Sequence, residues 1–441
     1  MKIKEILKDK LNKLQAYPGF KKYFVNTSWL FFERVIGMTV SFFVGVYVAR
    51  YLGPADYGLF SYAASFVGLF LGISALGLDS ILVRELVKDE TKRDELLGTS
   101  FILKSIGSIL VILIVLIAVR FTNNDSFTNL LIYIIVSGTI VKSFNVINFY
   151  FQSKVLSKYT VYVQIFTSIT CAVIKLVLIY FNMGLIYFAI VSLLQSIIFS
   201  SGLIVMYVKQ KSSLFKWRMN FDLAKNLLKD SWPLILSGIA ISIYMKIDQV
   251  MIKNMLGTEA VGNYAVAVKL SEVWYFIPMV ITNSLFPAIV NAKKISEKLY
   301  YERLQKLYTL IVWIAIAIAL PMTFLSDWIV KLLFGEQYNQ AGSVLIIHIW
   351  VGVFVGLAVV KGKWQVNENL TKFYLYGALA SSIANILLNY FLIPAYGIKG
   401  AAVATLISQC ISAYFINYFF VELKSQTLLM HKAFDIRRLL K

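Results

Sequence analysis

Twelve stretches of about 20 mainly apolar residues, each long enough to cross a bilayer as a helix, dominate this sequence. They fall near 25–50, 56–78, 98–120, 127–151, 159–181, 184–208, 232–255, 260–290, 305–325, 341–361, 370–393 and 398–421. Only 15% of the 441 residues are charged and 59% are hydrophobic, which leaves too few charges to cover the surface of a soluble protein. The sequence therefore predicts an all-α integral membrane protein with about twelve transmembrane helices.

The distribution of lysine and arginine predicts the orientation of these helices. With the N-terminus in the cytoplasm, 32 of the 43 Lys and Arg residues lie in cytoplasmic loops and tails, and five lie in outside loops. Because cytoplasmic loops of membrane proteins carry the excess of positive charge, we expect both termini in the cytoplasm. The same bias explains the net charge of +20 without nucleic acid as a partner.

A repeated turn relates the two halves of the chain. The segment after the first span reads LGPADYGLFSYA from Leu52, and the segment after the seventh reads LGTEAVGNYAVA from Leu256. Both contain a second glycine at the same place, Gly58 and Gly262. Since each half holds six spans, the halves have the same orientation. This pattern predicts two pseudo-symmetric six-helix bundles around a central cavity, with the site between them.

Five segments follow from this reading. They are a cytoplasmic amphipathic segment (1–22), an N-terminal six-helix bundle (23–209), a cytoplasmic linker (210–230), a C-terminal six-helix bundle (231–424) and a basic cytoplasmic tail (425–441). No loop carries a nucleotide-binding, zinc-protease or nucleophile-elbow motif, and none is long enough for a catalytic domain. We therefore expect no enzyme activity, no catalytic residues, no metal site and no cofactor.

Charged residues inside the spans are the candidate functional residues, because a charge at mid-bilayer needs a partner or a hydrated cavity. Arg34 lies about ten residues beyond the interface, roughly 15 Å deep, and has no acidic partner at i±3 or i±4. Lys104 lies close enough to a helix end to extend its amine to the interface. We expect an anionic headgroup, such as a diphosphate or an acidic sugar, to be bound by Arg34, Lys142, Lys246, Lys269 and Lys175.

Three carboxylates inside the spans are candidates for coupling transport to a cation. These are Asp248, Glu272 and Glu33, and the coupling ion could be Na⁺ or H⁺. An alternative is that Asp248 and Glu272 neutralise Lys246 and Lys269, with Lys269 and Glu272 paired three residues apart. The sequence leaves both interpretations open.

Two blocks of sequence resemble a known family. NTSWLFFERVIGMTVSFFVGVYVARYLGPADYGLF with LGLDSILVRELVKDE, and SWPLILSGIAISIYMKIDQVMIKNMLG, resemble bacterial polysaccharide (Wzx-type) flippases of the multidrug/oligosaccharidyl-lipid/polysaccharide exporter superfamily. The similarity covers nearly the whole chain. It implies two six-helix bundles forming a V around a cavity. It also implies an activity, which is to move an undecaprenyl-diphosphate-linked oligosaccharide from the cytoplasmic to the outer leaflet by alternating access.

The resemblance extends to Arg34. Arg34-Val35-Ile36-Gly37 is similar to the first-helix arginine motif of lipid II flippases, whose arginine lines the cavity. Val40 stands where those relatives carry a further arginine, so their other substrate contacts do not transfer. The resemblance further implies O-antigen, capsule or exopolysaccharide repeat units as substrate, and a bacterial cytoplasmic (inner) membrane. It also implies a polysaccharide polymerase and glycosyltransferases as partners.

Two other functions compete with this prediction. A cation-coupled multidrug exporter could share the architecture, but drug cations favour an acidic cavity, whereas the first-half spans are net basic. A polymerase or ligase acting on lipid-linked glycan would need a large polar outside loop. The longest outside loop, near 325–340, is short and sparse in polar residues.

Overall fold

The protein is helical throughout the part that a computed structural model describes, residues 20–439. Most of the predicted amphipathic segment, 1–22, lies outside these residues. Within them, no strand is present and ten helical stretches are long and apolar enough to cross a membrane. The predicted class, an all-α multi-pass membrane protein, is confirmed.

The α-helices are numbered in chain order. Those of the first half are α1 (Phe20–Gly68), α2 (Leu71–Ala75), α3 (Leu78–Lys88), α4 (Arg93–Val119), α5 (Ser126–Val141), α6 (Val146–Ser153), α7 (Lys158–Tyr180) and α8 (Leu185–Lys209). Those of the second half are α9 (Phe221–Leu256), α10 (Thr258–Glu272), α11 (Phe276–Lys293), α12 (Glu297–Phe334), α13 (Ala341–His348), α14 (Val351–Asn367), α15 (Lys372–Ala413) and α16 (Lys424–Ala433). Short 3₁₀ turns connect α5 to α6 and α10 to α11.

Glycine breaks reconcile the ten stretches with the twelve predicted spans. Inside α1, Gly53 takes a left-handed φ of 72° before Pro54, so this stretch holds the first two spans. Inside α15, Gly397 takes a φ of 62° shortly after Pro394, so this stretch holds the last two. Only glycine adopts such φ values without steric cost, and proline cannot continue the hydrogen-bond ladder. The remaining eight stretches each match one predicted span.

The helices group into two compact units. The first contains the described residues up to Gly45, Ser74–Ile114 and Ile134–Trp232, and the second contains Val46–Ile73, Val115–Tyr133 and Pro233 onward. These units follow contacts between helices, whereas the predicted bundles follow the sequence repeat. The predicted bundle boundaries therefore remain predictions.

In the first unit, a short amphipathic helix packs against longer helices. α3 follows the second span and buries one face at helical spacing, formed by Leu78, Ile81, Leu82 and Leu86. Part of this face meets Ala224 and Leu227, near the start of α9. α9 thus begins inside the predicted linker 210–230 and continues through Pro233 into the seventh span.

Lys104 forms an ion pair in the first unit. Its Nζ lies 2.5 Å from Asp79 Oδ1 and 4.9 Å from the centroid of the Phe149 ring. The Lys104 side chain is only 7% exposed, whereas that of Asp79 is half exposed. Lys104 therefore has an acidic partner, Asp79, at the start of α3. The sequence predicted only that its amine reaches the interface, and did not predict this ion pair.

In the second unit, the two repeated turns contact each other. Gly257 precedes α10 with a φ of 93°, as Gly53 breaks α1 with a positive φ. A Cβ on Gly58 would collide with the backbone of Thr258 and Gly262, and one on Gly262 would collide with the backbone of Pro54. The repeat that the sequence predicts is therefore visible as two glycine turns that let two helices approach at backbone contact.

A hydrophobic core of the second unit joins α12, α14 and the C-terminal helix α16. Tyr308 on α12 donates to Gln426 Oε1 at 2.7 Å, and Gln305 donates to the Leu429 carbonyl at 3.0 Å. Leu429 and Met430 are buried in the same cluster. The described part of the tail is thus a helix packed on this unit.

Candidate functional site

A cavity of about 690 Å³ lies within the second unit. It is lined by α9 from Pro233 to Gln249 and by α14 from Val351 to Val366, together with residues of α10, α11 and α15. At a rise of 1.5 Å per residue these lining segments are each roughly 23 Å long. The cavity therefore extends over much of the thickness of a bilayer's hydrocarbon core, about 30 Å.

The helix contacts fix which lining residues share an end of the cavity. Near the middle, Ser382 on α15 donates to the Ala240 carbonyl on α9 at 2.6 Å. Seven residues further along α15, Asn389 donates to Asp248 at 2.6 Å, so these two segments run in the same direction. Lys372, at the start of α15, therefore lies toward the Pro233 end.

Cations and carboxylates occupy different levels of this cavity. On α14, Lys361 donates to the Ser412 carbonyl at 2.6 Å, and Ser412 in turn faces Gly377 near the start of α15. Lys363 and Lys372, both exposed and both lining the cavity, therefore share one end. Asp248 lies toward the opposite end. We call the lysine end the mouth and the Asp248 end the deep end.

Asp248 at the deep end is fully built into a hydrogen-bond network. Its Oδ2 accepts from the hydroxyls of Tyr264 at 2.7 Å and Thr405 at 2.5 Å, and its Oδ1 accepts from Asn389 Nδ2. Asn389 also donates to Asn385 Oδ1 at 3.0 Å. The Asp248 side chain is 4% exposed. A buried carboxylate is stable only with such donors or with a cation.

Local sequence explains the network. Asn385 and Asn389 stand four residues apart, so they share one face of α15, and Thr405 lies after the Gly397 break on the returning segment. The break thus folds both segments of α15 around the same residue of α9. The result is a cluster of side-chain oxygens of the kind that suits a small hard cation or a proton.

The other second-half charges divide between the cavity wall and the helices packed around it. Glu272 lines the cavity with Asp248, which brings together two of the predicted coupling residues. The Lys246 stem packs against Gly68, and Lys269 Nζ lies 5.9 Å from the Tyr57 ring centroid. Neither lysine is among the residues lining this cavity. A Lys269–Glu272 ion pair is not found among the described residues.

The remaining candidates lie in the first unit. Arg34 and adjacent Glu33 are on α1, where Arg34 is exposed and Glu33 half-buried. Lys142 is exposed on the 3₁₀ turn between α5 and α6, and Lys175 is half-buried on α7. Arg34 and Lys142 form no ion pair or hydrogen bond with any residue that the structure describes. Their roles in substrate binding stay predictions.

Several site residues escaped sequence analysis. Lys361, at the end of the predicted span 341–361, is buried and caps the end of α15 through the carbonyls of Ser412 and Ala413 and through Asn417. Asn389 and Thr405 could have been found, because a polar residue inside an apolar span usually faces the protein interior. Tyr264 gave no such signal.

Comparison with known proteins identifies the family to which this chain belongs. Residues 24–293, more than half of the chain, match the family described as polysaccharide biosynthesis protein. This chain belongs to that family. Residues 233–391, which contain much of the cavity, also match the family described as MatE. The protein is thus a membrane transporter of the polysaccharide biosynthesis family and not an enzyme.

Similar proteins support the same assignment. The capsular polysaccharide biosynthesis protein CapF of Staphylococcus aureus is 24% identical over 419 residues, 90% of this chain and 98% of CapF. The lipid II flippase MurJ, in an inward closed conformation, aligns with a TM-score of 0.71 at 15% identity, covering 93% of this chain and 90% of MurJ. An inward-facing multidrug resistance MATE transporter of the MOP superfamily aligns with a TM-score of 0.69 at 16% identity, over 91% and 98% of the chains.

Proposed function

We propose that this protein translocates an undecaprenyl-diphosphate-linked oligosaccharide from the cytoplasmic to the outer leaflet by alternating access. The family match carries the proposal, because it covers the first span with Arg34 and all spans through the eighth. The similarity to CapF, a capsular polysaccharide biosynthesis protein, supports capsule or a related surface glycan as the product. The partners would be a glycosyltransferase upstream and a polysaccharide polymerase downstream.

Arg34 is the proposed contact of the first unit with the diphosphate. Its exposure on α1 leaves the guanidinium accessible, and it makes no ion pair or hydrogen bond with any described residue. A planar guanidinium matches two phosphate oxygens at once, which a lysine amine cannot do. Lys142, Lys175, Lys246 and Lys269 would add to the positive potential that attracts the headgroup.

Asp248 is the proposed site of ion coupling. Asp248 lines the cavity, so Na⁺ or H⁺ entering from the cavity would reach its carboxylate by replacing one of the three donors. Binding of a cation there would change the hydrogen bonds between α9 and both segments of α15, and so would bias their packing. Glu272 and Glu33 remain further candidates for this role.

The membrane proposed is the bacterial cytoplasmic membrane, with both termini in the cytoplasm. Under that orientation the mouth of the cavity, at Lys363 and Lys372, faces the cytoplasm. The substrate glycan is made on that side. Reporter fusions to the C-terminus test this orientation. A reporter that works only in the cytoplasm should be active there, and one that works only outside the cytoplasm should be inactive.

A reconstituted flipping assay tests the function. Liposomes containing the purified protein and an undecaprenyl-diphosphate-linked oligosaccharide would be treated with a membrane-impermeant glycosidase. Flipping makes nearly all of the glycan accessible, whereas protein-free liposomes expose about half. Glycan that stays half protected in the presence of folded protein and an ion gradient would contradict the proposal.

A cation-coupled multidrug exporter is the second candidate. The MatE match over 233–391 and the carboxylates lining the cavity favour it. This exporter would extrude cationic dyes against a gradient, and its dye efflux would depend on Asp248 but not on Arg34. A flippase would show the dependence on Arg34.

A further inference from the structure

Gln365 is a buried amide in the cavity wall. It lies on α14, lines the cavity and is only 1% exposed. Neither its Nε2 nor its Oε1 has a hydrogen-bond partner among the residues that the structure describes. Leaving a buried polar group unsatisfied destabilises the folded state, so such a residue usually serves a purpose other than stability.

Glu272 is a second polar side chain without a direct partner on this wall. It lines the cavity from the end of α10, half-buried, and makes no hydrogen bond or ion pair within the described part of the chain. Asp248, by contrast, accepts from three side chains. The two carboxylates of the cavity therefore differ. Lys246 interacts with Glu272 electrostatically, but no described side chain hydrogen-bonds the Glu272 oxygens, so they can accept from a ligand.

The two residues lie at different depths. Tyr275, three residues after Glu272, faces Gly352 near the start of α14, whereas Gln365 lies near the end of the same helix. Thirteen residues of α-helix separate the levels of Gly352 and Gln365, which corresponds to roughly 20 Å. Gln365 is close to the mouth, two residues from Lys363, and Glu272 is well inside.

The chemistry along this length suits a glycan. An amide both donates and accepts and a carboxylate accepts, which matches the paired hydroxyls of a sugar ring. Between them α14 contributes the apolar side chains of Val355 and Val359 to the wall, and such surface packs against the C–H face of a sugar. A phosphate would be repelled by Glu272, but it would be attracted by Lys363 and Lys372 at the mouth.

Resting on the function proposed above, we propose that the oligosaccharide lies along this cavity with its diphosphate end at the mouth. Lys363 and Lys372 attract the diphosphate in this binding step, and Arg34 contacts it at another step of transport. Gln365, after a change of rotamer, hydrogen-bonds the first sugar, and Glu272 hydrogen-bonds a sugar further from the lipid. Gln365 and Glu272 are thus specificity-determining residues for the glycan, acting in sequence along its length.

Binding of three defined lipids tests this arrangement. The probes are undecaprenyl diphosphate, the same lipid with one sugar, and the same lipid with a chain of three. The first sugar is varied among glucose, galactose and N-acetylglucosamine. We expect the wild-type protein to bind at least one single-sugar lipid more tightly than the sugar-free lipid, and its three-sugar form more tightly still. The Kd values come from thermal-shift titration of the purified protein.

Each substitution should act at one step of that series. Gln365→Leu should weaken binding of the one-sugar and three-sugar lipids by about tenfold and leave the sugar-free lipid unchanged. Glu272→Gln should weaken only the three-sugar lipid. Gln195→Leu is the control, because Gln195 is half-buried, does not line the cavity and makes no hydrogen bond within the described part of the chain. Gln365→Asn, which keeps the amide, replaces the leucine variant if that protein does not fold.

The outcomes separate this inference from the function on which it rests. If the wild-type protein binds none of the three lipids, the proposed function itself fails. If it binds them all with equal Kd, or if Gln365→Leu and Glu272→Gln leave the differences intact, only the glycan arrangement is overturned. Equal weakening of the one-sugar lipid by both variants would contradict their order along the cavity.

Discussion

The two halves of the chain share their backbone turns but differ in their charges. Gly53 and Gly257 hold repeat-related turns with positive φ, and Gly58 and Gly262 each meet the backbone of the other repeat. The charged residues inside the spans show no such correspondence. The repeat therefore supplies a common scaffold, and the side chains added to each half supply the chemistry.

The contrast is clearest between Arg34 and Asp248. Arg34 in the first half is exposed and has no partner within the described residues, so its charge is available to a ligand. Asp248 in the second half is buried and accepts from Tyr264, Thr405 and Asn389. The first arrangement suits transient contact with a large anion. The second suits a small cation held by the protein itself.

Removing the Arg34 charge should have the largest effect. Arg34→Ala is expected to abolish surface polysaccharide in a complementation assay, and Arg34→Lys to retain part of it, because lysine keeps the charge but not the bidentate geometry. Arg50→Ala, on an exposed residue of the same helix, is the control. Wild-type polysaccharide levels with Arg34→Ala would remove this residue from the mechanism.

Removing the Asp248 charge should separate coupling from folding. Asp248→Asn keeps the size of the side chain, and we expect it to slow ion-driven flipping by about tenfold or more, equivalent to 1.4 kcal/mol or more. The transport that remains should no longer depend on the ion gradient. Asp222→Asn, on an exposed residue of the same helix α9, should behave as wild type. Unchanged ion dependence in proteoliposomes would exclude Asp248 as the coupling site.

The repeated glycines should respond alike if the scaffold is common to both halves. Gly58→Ala and Gly262→Ala each push a methyl group into backbone, and we expect each to lower the free energy of unfolding by about 1–3 kcal/mol. Thermal unfolding in detergent measures the loss. Gly184→Ala is the matched control, since nothing lies within 4 Å of a Cβ built there. A large loss at one glycine and none at the other would argue against equivalent turns.

The smallest effect is expected at an ion pair that involves neither Arg34 nor Asp248. Lys293 Nζ lies 2.7 Å from both oxygens of Glu368. Partial burial raises the pKa of Glu368, but hydrogen bonds from Lys293, Tyr300 and Asn367 outweigh it and the pKa falls below its usual 4.5. The stabilisation is therefore complete above pH 4.5 and is lost as the pH falls through the lower folded value.

Glu368→Gln tests this pair. We expect a loss below about 1 kcal/mol at pH 7, in the range of exposed ion pairs, and a smaller difference from wild type at acid pH. Thermal unfolding at several pH values measures both. A difference that grows as the pH falls would have the wrong sign for a carboxylate with a lowered pKa.

Sequence reasoning worked where one physical rule dominates. Bilayer thickness and backbone satisfaction predicted the apolar helices. The repeated Leu-Gly turn identified Gly58 and Gly262 as equivalent positions, and the structure then shows them in contact. Sequence reasoning also placed span boundaries at 50–56 and 393–398, where the structure has the Gly53 and Gly397 breaks. It did not predict the left-handed φ at these two glycines. Those breaks depend on backbone angles that a lone glycine permits but does not require.

The candidate site was less accessible to sequence reasoning, because it depends on which helices meet. Asp248 and Glu272 were identified as charges that the membrane would not tolerate alone, and both line the cavity. The donors to Asp248 come from α10 and from two segments of α15, far apart in the chain. Lys361 carries the same charge as its neighbour Lys363, and only packing makes one a helix cap and the other a cavity residue.

The most direct test of the account is the sidedness of the lipid-linked oligosaccharide in cells depleted of this protein. Spheroplasts that contain no other flippase would be treated with a membrane-impermeant lectin or glycosidase. Depletion should make intact oligosaccharide accumulate in the inner leaflet, protected from the reagent, and wild-type protein but not Arg34→Ala should restore access. Normal outer-leaflet exposure after depletion would contradict the flippase function.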